Sequence, residues 1–303
     1  MTPNIDFHPV SLEDREHIQR FARINPYRNC DFSFANLYNW SSFYNTEVAY
    51  HKDMLLVRFK SAEAERTAYL MPVGEGDLLE VLQDMDEDMQ AKYDHSLTLM
   101  GVTSEGLELL QRTYPDRLHV LSSRDYSDYI YLREKLSTLS GKKLQSKRNH
   151  INRFERTYPS WSYEEIDESN VRECLQLEKV WFRQSEQGQD IVDEKQMVYK
   201  ALSDYERIGM MGGCIRVEGQ IIAFSLGMEV NADTFDVCIE KADTDYDGAF
   251  TIINREFARR IPEQYTYVNR EEDLGLEGLR KAKLSYKPVE LLAKHTVVLS
   301  YDE

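Results

Sequence analysis

One stretch constrains this chain more than any other. From 220 onward, Ile222, Phe224, Leu226, Met228 and Val230 alternate with smaller or polar residues. Phe235, Val237 and Ile239 alternate again after a short break. Successive strand side chains point to opposite faces, so the pattern specifies two strands, each with one buried face. Glu218-Gly219 is a turn that folds 213–217 back onto the first of them. A helical period follows over 248–261, then a strand at 265–270, a helix at 276–284 and a final strand at 289–300. Helices interleaved with strands in this way predict an α+β fold with mixed sheets.

The first half reads in the same order. Ser11 with Asp14 starts a helix, with the carboxylate three residues after the cap. Residues 48–60 and 67–73 read as paired strands. A helix over 76–93 carries the acidic run 84–88, expected to be a solvated face. A strand at 97–102 leads to a helix over 105–113, capped by Thr103 or Ser104 and stopped at Tyr114-Pro115. Strands at 118–121 and 128–132 close this half. After it come helices at 171–187 and 194–208. The repeated element order predicts two similar domains, 1–140 and 141–303, with 141–157 as a basic connecting helix.

Composition narrows the function. The chain has 303 residues, a net charge of −16 and 42% hydrophobic residues, a folded mixture and not a disordered one. No apolar run approaches the roughly twenty residues a membrane span requires, and the N-terminus has no basic start or apolar stretch. A cytoplasmic location is expected. Four cysteines, none spaced as CxxC, read as reduced thiols. The seven histidines lack metal-ligand spacing, so no metal is expected. The motifs G-x-S-x-G, P-loop and dinucleotide-binding glycine fingerprint are absent. The acidic balance disfavours nucleic-acid binding over the whole surface.

Helical projection exposes charges that interrupt apolar stripes. Glu178 falls within the stripe of Val171, Cys174, Leu175, Trp181 and Phe182. A carboxylate there is buried with a cation, lines a cleft, or swings out at an exposed helix end. Lys147 falls within the stripe of Leu144, Ile151, Phe154 and Tyr158. From 142 to 156 there are six Lys/Arg and one acid, a local reversal of sign. That suits a phosphate-bearing substrate or RNA, or a solvated helix whose Lys147 snorkels. On the last helix Leu276 and Leu279 share a face with Arg280 and Lys283. Two such cations call for an anion or carboxylate between them, for which Glu272 and Asp273 are candidates, with an i,i+3 pair of Glu277 and Arg280 as the alternative. Asn269 and the acidic run after it lie where a strand ends, a frequent place for a site.

Two segments carry a resemblance: LSGKKLQSKRNHINRF at 139–154, after the strand at 129–132, and YVNREEDLGLEGLRKAKLSYKP at 267–288. They resemble the bacterial family related to the C-terminal domain of phosphatidylglycerol lysyltransferases. That family belongs to the acyl-CoA N-acyltransferase (GNAT) group, near the Fem-type aminoacyltransferases. The resemblance implies two tandem GNAT-like domains and transfer of an acyl group from aminoacyl-tRNA or acyl-CoA to an amine or hydroxyl. It implies no covalent enzyme intermediate. Its site positions would be Glu178 and Asp273 as catalytic carboxylates. Lys143, Lys147, Arg148, Asn149, Asn269, Arg280 and Lys283 would bind substrate or phosphate. The acceptor would be a small molecule, a lipid or a peptidoglycan precursor. The phosphate turn of ordinary GNAT enzymes, Q/R-x-x-G-x-G/A, reads DTDYDGAF here at 243–250. Three aspartates there repel a pyrophosphate. A GNAT-like binding protein without activity and an RNA-binding module using the 142–156 face are the alternatives.

Overall fold

The computed structural model describes residues 4–60, 66–184 and 189–300. Its elements run β1 (His8–Pro9), α1 (Arg15–Ile24), α2 (Phe34–Asn39), α3 (Ser41–Tyr44), β2 (Glu47–His51), β3 (Met54–Lys60), β4 (Thr67–Leu70) and β5 (Val73–Gly74). Then follow α4 (Leu78–Tyr93), β6 (Thr98–Thr103), α5 (Ser104–Thr113), β7 (Leu118–Ser122), β8 (Asp128–Leu132), α6 (Arg133–Thr138) and α7 (Gln145–Thr157). Next come β9 (Ser162–Glu165), α8 (Val171–Gln184), α9 (Gln189–Ile208), β10 (Met211–Val217), β11 (Gln220–Glu229) and β12 (Thr234–Ala242). The chain closes with α10 (Ala249–Arg260), β13 (Tyr267–Asn269), α11 (Glu277–Ser285), β14 (Glu290–Leu292) and β15 (Lys294–Leu299). The last residues of the helix expected at 171–187, from 185 on, lie outside the described residues.

Local chemistry sets many of these boundaries. The Ser11 amide donates to Asp14 Oδ2 at 2.8 Å, the capping-box bond expected there. Thr103 Oγ1 accepts from the Gly106 amide and starts α5. The acidic face of α4 departs from expectation. Asp88 is fully buried, 2.6 Å from Lys92 and 3.7 Å from the buried Arg58. Asp84 lies 2.6 Å from His51. These two carboxylates hold α4 on the sheet beneath it, so the run is only partly solvated.

Among the described residues the strands form two sheets. One has the order β1-β2-β3-β4-β6-β15-β7, with β5 beside β3; the other runs β14-β8-β13-β12-β11-β10-β9. β4 pairs with β6, and β12 with β13, in parallel; the other ladders are antiparallel. The chain is therefore α+β with two mixed sheets, as expected. The sheets do not respect a cut at 140/141: β8 precedes it and lies in the second sheet, while β15 follows it and lies in the first. The final strand expected at 289–300 is two strands, one in each sheet. Ala293 separates them, and the alternation of Leu292, Val297 and Leu299 cannot show the change of partner.

One apolar core, containing Val81, Leu82 and Met85 of α4 with Cys174, Val198 and Phe224, fills the first sheet and continues onto one face of the second. A second core lies on the opposite face of that sheet, where Leu136, Ile151, Phe154, Ile252 and Phe257 bring α6, α7 and α10 together. The two sheets meet along the segment between α1 and α2. Asn231 Nδ2 donates to the carbonyls of Asn25 and Tyr27, and Arg28 lies 2.9 Å from Asp233 and over the Tyr267 ring.

Candidate active site

The parallel pair β12–β13 creates the site. Only three residues pair, Thr234 with Tyr267, Phe235 with Val268 and Asp236 with Asn269, whereas β12 continues to Ala242. The strands part after Asp236, and polar groups collect where backbone partners separate, at the C-terminal end of a parallel pair. A register shift between Leu226 and Met228 of β11 lies opposite the same point. Gly227 is required there: a Cβ would stand 2.2 Å from the Asp236 carbonyl.

Five carboxylates converge at the parting: Asp31, Asp128, Asp236, Glu271 and Glu272. Lys294 serves three of them. Its ammonium lies 2.9 Å from Asp128 and 3.1 Å from Asp31, and it pairs with Glu272. Burial works against this ammonium, but the charges of Asp128 and Asp31, followed by those of Cys30 and Glu272, hold its pKa well above the ordinary lysine value. Burial pushes Asp31 up, and Lys294 together with the Asn29 amide more than reverses it. Burial raises Glu272, with Lys294 opposing. Asp128 also accepts from the Cys30 amide at 2.8 Å and from Asn269 Nδ2 at 2.7 Å. Asn269 in addition donates to the Arg28 carbonyl and accepts from the Glu271 amide at 2.7 Å. It therefore positions the cluster and has no free polar group.

Asp236 and Glu271 are less well compensated. Both share Asn36, whose Nδ2 faces Asp236 at 3.2 Å, Glu271 at 2.9 Å and the Cys30 carbonyl at 3.1 Å, and Asp236 Oδ2 also accepts from Cys238 Sγ at 3.2 Å. Two N–H groups cannot satisfy three acceptors. Asp236 is fully buried, and its Oδ1 has no hydrogen-bond partner among the described residues. Burial first, and then the charges of Asp128 and Glu272, push Asp236 well above the carboxylate range. Burial and then Asp236 do the same to Glu271. The two form a dyad in which each charge opposes the ionisation of the other. Glu271 also has φ +57°, a left-handed backbone that costs about 1 kcal/mol for a non-glycine residue. Such conformations cluster at functional sites. Cys238 Sγ and oxygens of Asp236 and Glu271 lie within 4.8 Å of one another, a donor set open to a cation. Cys30, Asp31 and Asp128 form a similar group, already occupied by Lys294.

The residues singled out by sequence fall into separate places. Asp273 is fully buried and fully used: Oδ1 accepts from the Gly275 amide and Arg280, Oδ2 from Arg124 at 2.7 Å, Tyr129 at 2.5 Å and Arg280 at 2.9 Å. Arg280, joined by Tyr129 and Arg124, holds it far below the usual carboxylate range, so it is a poor base. Arg280 Nη2 also donates to Asp125 Oδ1 at 2.6 Å. Lys283 is buried, and its ammonium donates to the carbonyls of Arg270 and Glu272. Asp273 is therefore the carboxylate that Arg280 calls for, whereas Lys283 is held by neutral main-chain oxygens. Both residues fix the loop that carries Glu271 and Glu272.

Lys143 and Asn149 are exposed, and Asn149 Oδ1 accepts from Gln145. Arg148 donates to the carbonyls of Leu139 and Gly141, closing the turn before α7. Lys147 is half-buried, 4.0 Å above the Tyr286 ring. Glu178 is 2% exposed, and neither oxygen has a hydrogen-bond partner among the described residues. Burial lifts its pKa to about 7, against the attraction of Lys241. Lys241 itself pairs with Glu194 at 2.7 Å and lies over Trp181. Glu178 shares no hydrogen bond with the carboxylate cluster. Sequence reasoning missed Asp31, Asp128, Asp236, Glu271 as a dyad member, and Lys294. A charge inside an alternating strand was the available signal for Asp236 and Lys294, equivalent to the stripe test applied to helices.

The paired mixed sheets, the parting parallel strands and the shared core make one α+β scaffold. A model of the family described as "Phosphatidylglycerol lysyltransferase, C-terminal" matches residues 22–298, and the chain belongs to that family. A conserved protein of unknown function from Bacteroides thetaiotaomicron is 46% identical, with TM-score 0.95 over 98% of this chain and all of that one. L-PGS from Bacillus licheniformis shares the fold, with TM-score 0.63 and 16% identity over 99% of this chain and 95% of that one. An uncharacterised protein of Mycoplasmoides gallisepticum is 26% identical across 73% of this chain and 69% of its own length. Among the described residues no helix is long and apolar enough to cross a membrane.

Proposed function

We propose that this chain is an aminoacyltransferase, moving an aminoacyl group from an aminoacyl-tRNA to a hydroxyl or amine acceptor, with a lipid as the first acceptor to test. The supporting observation is the surplus of buried carboxylate at the parting of β12 and β13. Lys294 and Lys283 are the cations there, and the Asp236–Glu271 dyad is left with an overworked amide donor, Asn36, and the weak thiol donor of Cys238. An aminoacyl ester carries a free ammonium group, and a buried site with excess negative charge binds such a group by ion pairing and hydrogen bonds. Lysyl transfer, as in the family name, adds a second ammonium.

In this reading Asp236 and Glu271 seat the ammonium and Glu271 accepts the proton of the attacking acceptor. The acceptor oxygen bonds to the ester carbonyl carbon, and the bond from that carbon to the tRNA ribose oxygen breaks. The proton passes through the Glu271 carboxyl to the departing ribose oxygen. Asp273, Arg280, Lys283 and Asn269 hold the loop, and Lys147 remains available for a donor phosphate. An acyl-CoA donor is disfavoured, because Asp243, Asp245 and Asp247 surround the start of α10.

The test supplies purified protein with radiolabelled lysyl- and alanyl-tRNA, phosphatidylglycerol vesicles and a total lipid extract, and in parallel with labelled acetyl-CoA. Label is expected to move from charged tRNA to an acceptor, and Glu271→Gln is expected to slow it by about 100-fold or more. Transfer from acetyl-CoA alone, or no transfer from any donor, would overturn the proposal. An undiminished rate in the variant would overturn the role of Glu271.

A further inference from the structure

A second buried polar cluster lies on the α10 side of the parted strands, away from the carboxylate cluster. Its centre is Glu240 of β12, which accepts from Arg270 Nη2 at 2.8 Å and from Asn254 Nδ2 at 3.2 Å. Around it three buried polar atoms have no hydrogen-bond partner among the described residues: Arg270 Nη1, Asn254 Oδ1 and Ser225 Oγ. Ser225 is the cross-strand neighbour of Glu240. Orphaned buried groups are uncommon, and each calls for a water, an ion or a ligand. Three around one residue, including a guanidinium N–H, leave room in the chemistry for a group with both acceptor and donor oxygens.

The charges point the same way. Lys147 lies 4.0 Å and Arg270 5.0 Å from the centre of the same Tyr286 ring, so the two cations are close neighbours. Glu240 is the carboxylate facing them and is already bonded to Arg270. Burial, and then the charge of Arg270, depress Lys147 to about 8, with Glu240 opposing and Lys287 assisting. Adjacent cations are stable where an anion joins them. Lys147 is half-buried on α7, and the turn before that helix presents a basic face in the exposed Lys142 and Lys143. A phosphate-bearing ligand would meet that basic face before reaching Lys147.

We propose that Lys147 and Arg270, with Asn254 and Ser225, form a phosphate-binding subsite distinct from the carboxylate cluster. The guanidinium Nη1 and the Lys147 ammonium donate to phosphate oxygens. Asn254 Oδ1 and Ser225 Oγ take a hydroxyl of a protonated phosphate or a bridging water. The inference does not depend on the aminoacyltransferase reading, and its test has no transfer step, so the two can fail separately.

The test follows acylation of Lys147 by a dilute amine reagent at about pH 8, mapped by peptide mass spectrometry. An amine with a pKa of about 8 is half unprotonated there, against under about 1% for an ordinary lysine. Inorganic phosphate, adenosine monophosphate and a trinucleotide are added at equal ionic strength with chloride as control. Bound phosphate restores the charge of Lys147 and is expected to slow its labelling by about tenfold. The exposed Lys142 and Lys143 should change little. Arg270→Gln should abolish the protection. If that variant does not fold, Lys147→Met decides instead, by loss of phosphate binding in calorimetry. Preferential protection by the trinucleotide assigns a phosphodiester, and equal protection by inorganic phosphate assigns a free phosphate. Unchanged labelling of Lys147 in folded protein with all three probes, or binding undiminished in Lys147→Met, would overturn the subsite.

Discussion

Replacing Lys294 by Met tests how the two sheets are joined. The ammonium is 5% exposed and sits among Asp31, Asp128 and Glu272. These come from the segment after α1, from β8 and from the loop after β13, while Lys294 opens β15. Methionine keeps the stem and removes the charge. Removing one partner of a buried ion pair costs about 3–5 kcal/mol, because the remaining charges stay desolvated. For a chain of this size that is a fall in Tm on the order of 10 °C. The pH dependence identifies the cause. Lys294 now holds Asp31 down and restrains Glu272. Without it both titrate above their unfolded values. A carboxylate with a raised folded pKa destabilises when ionised, and the penalty vanishes as pH falls through that raised value. The gap in Tm between wild type and variant should be large at about pH 7.5 and clearly smaller at about pH 5. A wild-type melting point at pH 7.5, or a gap independent of pH, would refute the reasoning.

Other perturbations have equally definite signs. Glu178→Gln should leave stability unchanged near pH 4.5 and raise it above pH 7. The wild-type carboxyl, raised from 4.5 to about 7, loses stability as pH climbs between those values, on the order of 3 kcal/mol, and thermal melts across that range check it. Asp273→Asn should destabilise by about 3 kcal/mol or more through the loss of the Arg124 and Arg280 pairs. Since Asp273 is depressed, that gap should persist from neutral pH down to the ordinary aspartate range and close only below it, as chemical denaturation at stepped pH would show. Gly227→Ala should cost about 1–3 kcal/mol and displace Asp236, because the new Cβ meets the Asp236 backbone oxygen at 2.2 Å. Denaturation together with the transfer assay reads both effects.

Much of the scaffold is legible in residue periodicity. The alternation from Ile222 to Ile239 gives β11 and β12 but not their faces: β11 is buried on both, with Ile222 in one core and Phe224, Leu226 and Met228 in the other, and β12 divides in the same way between Phe235 or Val237 and Ile239. The stripes give α7 and α8, but at α11 the expected apolar face is reversed, with Leu276 and Leu279 exposed and Lys283 buried. Lys147, Glu178, Arg280 and Lys283 stand out as misplaced charges, and the structure gives each a distinct environment. What they do is partly legible: Asp273, a candidate partner in the sequence, is the carboxylate that Arg280 holds, whereas the oxygens that hold Lys283 are main-chain ones that no side-chain pattern shows. The acidic site is less visible still. Asn36, Asp128, Asp236, Glu271 and Lys294 lie far apart in the chain and meet through tertiary pairing alone. The exchange of β8 and β15 between the sheets, which brings Lys294 to Asp128, leaves no trace in local pattern.

The central claim is that the Asp236–Glu271 dyad holds one proton and is a seat for an ammonium group. Titration calorimetry with lysinamide, a stable stand-in for the aminoacyl group, measures this directly in buffers of different ionisation enthalpy. Binding should release a proton from the dyad, so the apparent enthalpy should vary with the buffer. α-N-acetyl-lysinamide should bind more weakly, and Asp236→Asn combined with Glu271→Gln should abolish both binding and proton release. Equal affinity for the acetylated compound, or binding that survives the double substitution, would contradict the account.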